Sequence, residues 1–183
     1  MQPVKQLARV LTDLADSEHY LFTLDDLQGV LPDQSRGAFK AMVSRAERDG
    51  LLRRVSRGLY LYPRVAAPGG GLLLYHAAAR LRANQFNYIS LESALSDVGI
   101  ISQIPMNWVT LMSSGRSSVV QCGEYGHIEF VHTKKRPAAI ADQLTYDTRC
   151  RLWRASVVLA LKDMRATRRN MDLIDREALR EFV

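Results

Sequence analysis

Cysteine is nearly missing from this chain. Cys122 and Cys150, the two in 183 residues, are too few and too far apart for a disulfide framework or a shared metal. They read as two reduced thiols of a cytoplasmic protein. Histidine is scarce too. His19, His76, His127 and His132 show no ligand spacing with the cysteines or with each other. His127 and His132 stand five apart on a strand-like segment, so they point to opposite faces. Long apolar runs are absent: the stretch from Leu72 to Ala79 is far too short to span a bilayer, and the charged opening helix reads as no signal peptide. There is no Gly-x-Ser-x-Gly turn, and Ser113, Ser114, Ser117 and Ser118 have no recognisable base partner. Gly69 to Gly71 lack the Lys-Ser/Thr that completes a phosphate loop. Glu92, Asp97, Glu124 and Glu129 read as solubilising surface charges. These absences lead to the expectation of a non-enzyme with no catalytic residue, no metal and no cofactor.

What the chain has is positive charge, unevenly placed. Lys and Arg number 25 against 19 Asp and Glu, a net of +6, and the pI is near 9.6, which favours an anionic partner. Residues 1–32 hold two Lys/Arg and five Asp/Glu, a net of −3; residues 33–64 hold eight and three, a net of +5. Residues 65–133 come to −1 and residues 134–183 to +5, the latter with acids interleaved, as on a solvated helix surface. The 47% apolar content is that of a folded protein.

The concentrated charge lies in a recognisable local pattern. Ser35 suits a helix N-cap and Gly50 the left-handed residue after a helix, and between them Phe39, Met42, Val43 and Ala46 recur at helical spacing. Arg36, Lys40, Ser44, Arg45 and Arg48 fall largely on the other faces. Residues 52–62 then read as a short hairpin around Ser56-Arg57-Gly58, with Arg53, Arg54 and Arg57 as three cations that have no acid beside them in sequence. Upstream, Val4, Leu7, Ala8, Leu11, Leu14 and Ala15 make one face of a first helix. Thr23 with Asp26 resembles a capping box that starts a second, short helix ending near Leu31-Pro32. Three short helices and a basic hairpin predict a winged helix-turn-helix, its third helix fit for the major groove and its hairpin for the phosphates. The DNA-contacting set is Arg36, Lys40, Ser44, Arg45, Arg48, Arg53, Arg54 and Arg57, on double-stranded DNA. Use of the same fold for protein contacts is the less favoured reading.

Pro63 to Gly71 breaks both helix and strand. The organisation expected is a winged helix-turn-helix domain at 1–64, a linker at 65–71 and an α+β domain at 72–183. In the second domain a helix is expected over 72–83 and another from an N-cap at Ser90 to Gly99, with Leu91, Ala94, Leu95 and Val98 inward. Strands over 107–112, 117–122 and 127–132 are expected as a small antiparallel meander. After Pro137 the spacing of Trp153, Val157, Val158, Leu161 and Met164 predicts a helix. Asn170 would cap a last one, with Leu173, Ile174, Ala178, Leu179 and Phe182 on its buried side.

Several segments together resemble the AbiEi-type antitoxins of type IV toxin–antitoxin systems. They are Arg57-Gly58-Leu59-Tyr60, Tyr88 to Leu95, Gly99-Ile100-Ile101, Val109 to Arg116, and Gly126-His127-Ile128-Glu129-Phe130. The resemblance spans nearly the whole chain. It implies a winged helix that binds inverted repeats in its own promoter and represses its operon. It also implies a second domain that counteracts a toxin similar to nucleotidyltransferases and contributes to a dimer on DNA. Direct contact with the toxin stays open. The chain is shorter than the larger members of that family. The other reading kept open is a solitary winged-helix transcription factor whose C-terminal domain senses a ligand.

Overall fold

The computed structural model describes residues 3–182 apart from Gly70, Gln103 and Met106. Gly70, in the expected linker, therefore lies outside the described residues. The protein is a mixed α+β structure that divides into two compact units, residues 1–73 and 74–183. Among the described residues no helix is long and apolar enough to cross a membrane.

The first unit runs α1 (Pro3–Leu14), β1 (Leu21–Thr23), α2 (Leu24–Val30), α3 (Arg36–Arg48), β2 (Arg53–Ser56) and β3 (Leu59–Leu61). Its three strands form an antiparallel sheet in the order β1-β3-β2, with Phe22 opposite Tyr60 and Arg54 opposite Tyr60 from the other side. The helix starts are local chemistry. Thr23 accepts from the Asp26 amide at 3.2 Å while Asp26 accepts from the Thr23 amide at 2.6 Å, a complete capping box. Ser35 accepts from the Ala38 amide at 3.3 Å. Leu7, Leu11, Leu27, Leu31, Phe39, Met42, Val43, Ala46 and Leu52 close into one core with Tyr60 and Tyr62. Leu14, expected on the inner face of α1, is 57% exposed, because that helix ends at its position. The sequence pattern did not predict β1, which has three residues and owes its existence to pairing with β3, 38 positions away.

The second unit is built on a six-stranded mixed sheet in the order β6-β7-β5-β4-β9-β8. Its elements are α4 (Leu72–Leu81, which begins just before the unit boundary), β4 (Asn87–Ile89), α5 (Leu91–Asp97), β5 (Trp108–Ser113), β6 (Ser118–Gln121) and β7 (His127–His132). They continue with α6 (Pro137–Ile140), β8 (Leu144–Asp147), β9 (Leu152–Ala155), α7 (Val157–Ala166) and α8 (Arg176–Leu179). The expected meander is corrected. β7 pairs in parallel with β5, Trp108 opposite His127 through Ser113 opposite His132, and β6 joins the far side of β7. The four residues 114–117 can make this skip, since two strand spacings are roughly 10 Å, within reach of a short extended link. Gly126 fits the return. Its φ is +116°, and a Cβ there would sit 2.0 Å from the Asn107 carbonyl oxygen.

Other expectations for this unit are corrected as well. Trp153 belongs to β9, not to a helix, and is 43% exposed. Its spacing of four from Val157 mimics a helical face, but residues 144–155 form a hairpin, with Tyr146 opposite Trp153. Val158 and Phe182 are exposed, as is Val98, which closes α5 next to Gly99 at φ +79°. Asn170 caps a single 3₁₀ turn over Met171–Leu173, and Asp175 caps α8. Ser90 stands at the N-cap position of α5 without capping it: its hydroxyl donates to Asp163 Oδ2 at 2.7 Å. Leu91, the next residue, takes φ +57°, a strained setting for an L side chain, and is fully buried. Ser93 and Thr110 then fasten α5 to β5. The Thr110 amide donates to Ser93 Oγ at 2.8 Å and the Ser93 amide to Thr110 Oγ1 at 3.1 Å. Glu92 and Glu129, expected as surface charges, have mostly buried side chains that converge on Arg169.

Candidate nucleic-acid interface

Helix α3 follows its sequence closely. Phe39, Met42, Val43 and Ala46 are buried, and the helix stops where Gly50 takes φ +72° and the Leu51 amide donates back to the Ala46 carbonyl at 2.9 Å. All five residues nominated on it, Arg36, Lys40, Ser44, Arg45 and Arg48, are exposed. They do not share one line. At about 100° per residue, Ser44 and Arg48 lie opposite the buried stripe, Arg36 and Lys40 flank them on one side, and Arg45 flanks them on the other. Gly37 and Ala41 complete the central line, both exposed, and apart from the adjacent residues and the helix's own backbone no atom lies within 4 Å of where a Gly37 Cβ would stand. Sequence reasoning overlooked these two because neither carries a functional group. Their signal was position alone, diametrically opposite Phe39, Met42, Val43 and Ala46.

The hairpin follows directly. Arg53, Arg54 and Arg57 are exposed, while Val55 and Ser56 turn inward. The register shifts between Arg54 and Ser56, so the strand kinks before its tip. Arg57 and Gly58 make the turn, with Gly58 at φ +81°. The Gly58 carbonyl accepts from the Leu24 amide at 3.1 Å, which ties the tip to the start of α2. Arg57 is thus an exposed cation on an anchored turn.

Tyr60 joins the two elements electrostatically. Burial pushes its hydroxyl up, Arg54 pulls it down, and Glu47 on α3 pushes it up again. Glu47 is therefore a spatial neighbour of the hairpin, an acid that residues 52–62 themselves do not reveal. The cations still exceed it: three exposed arginines on the hairpin and four exposed Lys or Arg on α3. Such a surface attracts polyanions and makes binding to them depend on salt.

Residues 9–63 match the model of a family described as "Transcriptional regulator, AbiEi antitoxin". That range runs from within α1 to just past β3, so it covers α3 and the hairpin, and it is the family that the sequence resembles. The resembling segments from Tyr88 onward lie outside it. No curated protein matches the chain. Among solved structures, the crystal structure of the RV2827C protein from Mycobacterium tuberculosis aligns with a TM-score of 0.49 at 14% identity. The alignment covers 83% of this chain and 53% of that one, so this chain spans about half the length of that protein.

Proposed function

We propose that the first unit is a winged helix-turn-helix that binds double-stranded operator DNA. Helix α3 lies in the major groove and the β2–β3 hairpin runs along the phosphates. The observation that carries this reading is the division of α3: one face wholly buried, the other lined by Arg36, Lys40, Ser44, Arg45 and Arg48, and then at once a hairpin with Arg53, Arg54 and Arg57 outward. The element order helix, strand, helix, helix, strand, strand and the sheet order β1-β3-β2 support it. So does the family match over residues 9–63.

On that basis the protein acts as the antitoxin and autorepressor of a type IV toxin–antitoxin system. It binds inverted repeats in its own promoter, and its second unit counteracts a nucleotidyltransferase-like toxin. The phosphate contacts supply affinity without sequence preference, and base-edge contacts from α3 supply the discrimination. The deciding experiment is a gel shift with the DNA upstream of the protein's own reading frame. A retarded complex that survives excess unrelated competitor is expected. Equal binding to a scrambled fragment of the same length would sink the operator assignment.

A further inference from the structure

Within the second unit, Glu92 of α5, Glu129 of β7 and Arg169 line a cavity of about 340 Å³, a size that suits a small molecule. The two carboxylates are not equivalent. Glu129 has a donor on each oxygen: Arg169 Nη2 at 2.5 Å from Oε1, and Trp108 Nε1 at 3.2 Å from Oε2. Glu92 does not. Arg169 Nε stands 3.7 Å from Glu92 Oε1, beyond hydrogen-bond reach, and Glu92 Oε2 is buried with no hydrogen-bond partner. Leaving a buried charged acceptor without a donor is costly, and native structures rarely do so without a reason.

The remaining walls select the ligand's body. Ile104, Pro105, Trp108 and Leu173 are apolar, while the hydroxyl oxygens of Ser93 and Thr110 are engaged in fastening α5 to β5. Two carboxylates against one guanidinium leave the charged wall at −1. An entering anion would meet that charge, with Arg169 already facing both Glu129 and Glu92. A neutral ligand would bring no charge to balance that −1. Three of the segments singled out in the sequence meet here: Tyr88 to Leu95 through Glu92, Val109 to Arg116 through Thr110, and Gly126 to Phe130 through Glu129.

We propose that this cavity binds a small monocationic ligand, a primary ammonium or amidinium that donates to Glu92 and carries an apolar ring or alkyl body against Trp108 and Leu173. The site lies wholly within the second unit and stands or falls independently of DNA binding. The test is titration of the full-length protein with phenethylamine, benzamidine and the anionic counterpart phenylacetate, followed by calorimetry and by tryptophan fluorescence. Saturable one-to-one binding of at least one cationic probe is expected, with phenylacetate at least about tenfold weaker. Glu92→Gln should weaken the cationic probe by about tenfold or more while the far-UV spectrum stays the same. Leu173→Trp, which fills the cavity and leaves the charges in place, should abolish binding, and it decides the matter if Glu92→Gln fails to fold. The proposal is overturned if neither cationic probe saturates by about 10 mM. It is equally overturned if phenylacetate binds as well as they do, or if binding persists undiminished in a folded variant.

Discussion

Lys135 Nζ lies 2.5 Å from Oδ1 of Asp163, a carboxylate with no exposed surface at all. The other oxygen accepts from Ser90 Oγ at 2.7 Å and from the Tyr88 hydroxyl at 3.0 Å, so one buried acid ties α7 to β4, to the start of α5 and to the chain beyond β7. Burial and the Asp163 charge raise the Tyr88 hydroxyl far above its ordinary value, which keeps it a donor. Lys135→Met would leave the buried charge without its cation. A loss of about 2–3 kcal/mol is expected, below the usual cost of breaking a buried pair because water reaches a third of Lys135. Urea melts of Lys135→Met, Asp163→Asn and the double variant measure it. The double variant should lose less than the sum of the single ones. Strict additivity would mean that the pair does not interact.

On α3, Lys40 and Arg45 flank opposite sides of the central line of Gly37, Ala41, Ser44 and Arg48. Lys40→Ala and Arg45→Ala should each weaken promoter binding and leave the far-UV spectrum unchanged, since neither side chain is in the core. A side chain in bidentate contact with guanine should cost about 1–3 kcal/mol at one base pair, and a phosphate contact should cost the same on every sequence. Anisotropy titrations on operator and scrambled DNA separate the two. Unaltered binding in both variants would put the reading surface elsewhere.

The hairpin arginines carry a different signature. Arg54 and Arg57 are exposed beside a turn that Leu24 anchors. Removing one arginine from a phosphate should reduce the slope of log K against log salt by about 1. Arg54→Gln and Arg57→Gln should therefore flatten the salt dependence and weaken operator and unrelated DNA alike. A changed base preference with an unchanged slope would contradict the assignment to phosphates.

The two units differ in how much their sequences disclose. In the first, the decisive signals are local: Thr23 and Asp26 lie three apart, Ser35 caps Ala38, and the buried stripe of α3 recurs within one helix. In the second, the strands over 107–132 were legible as alternation, but alternation does not name a partner. Nothing in residues 108–132 says that β7 inserts beside β5 instead of following β6. Strands β4, β8 and β9 have three or four residues each; β8 and β9 pair as a local hairpin, but β4 joins β5 and β9 through pairing between distant segments. The same limit applies to function. The cations of α3 were legible as the face opposite Phe39 and Met42. Glu92 and Glu129 looked like solvent charges because Arg169 lies 77 and 40 positions further along the chain.

Asp147 gives the second unit a predictable acid sensitivity. Burial works against its charge, but the Cys150 amide and the Arg154 guanidinium outweigh that and hold its pKa down to about 2. Cys150 is the converse case: burial first, then the Asp147 charge, push its thiol up to about 12. A carboxylate depressed on folding contributes stability that is fully present above its unfolded pKa. The contribution fades as pH falls through the folded one. The window is therefore from near 4 down to about 2. Thermal melts across that range should show wild type losing stability more steeply than Asp147→Asn. Parallel curves would mean that Asp147 is not ion-paired with Arg154 in solution.

The division into residues 1–73 and 74–183 sets the last expectation. Each unit has its own sheet and its own buried core, so each has what a chain segment needs to fold alone. All eight nominated DNA contacts lie in the first. A fragment of residues 1–73 should therefore bind operator DNA, more weakly than the full chain if dimer contacts lie beyond it. Residues 74–183 should bind that DNA poorly, despite their basic composition, because their charges are interleaved with acids. If antitoxicity belongs to the second unit, co-expression of residues 74–183 with the candidate toxin should restore growth, and co-expression of 1–73 should not. The toxin must be driven from an unrelated promoter, so that repression cannot imitate neutralisation. Rescue by 1–73 alone under that promoter would assign protection to the DNA-binding half.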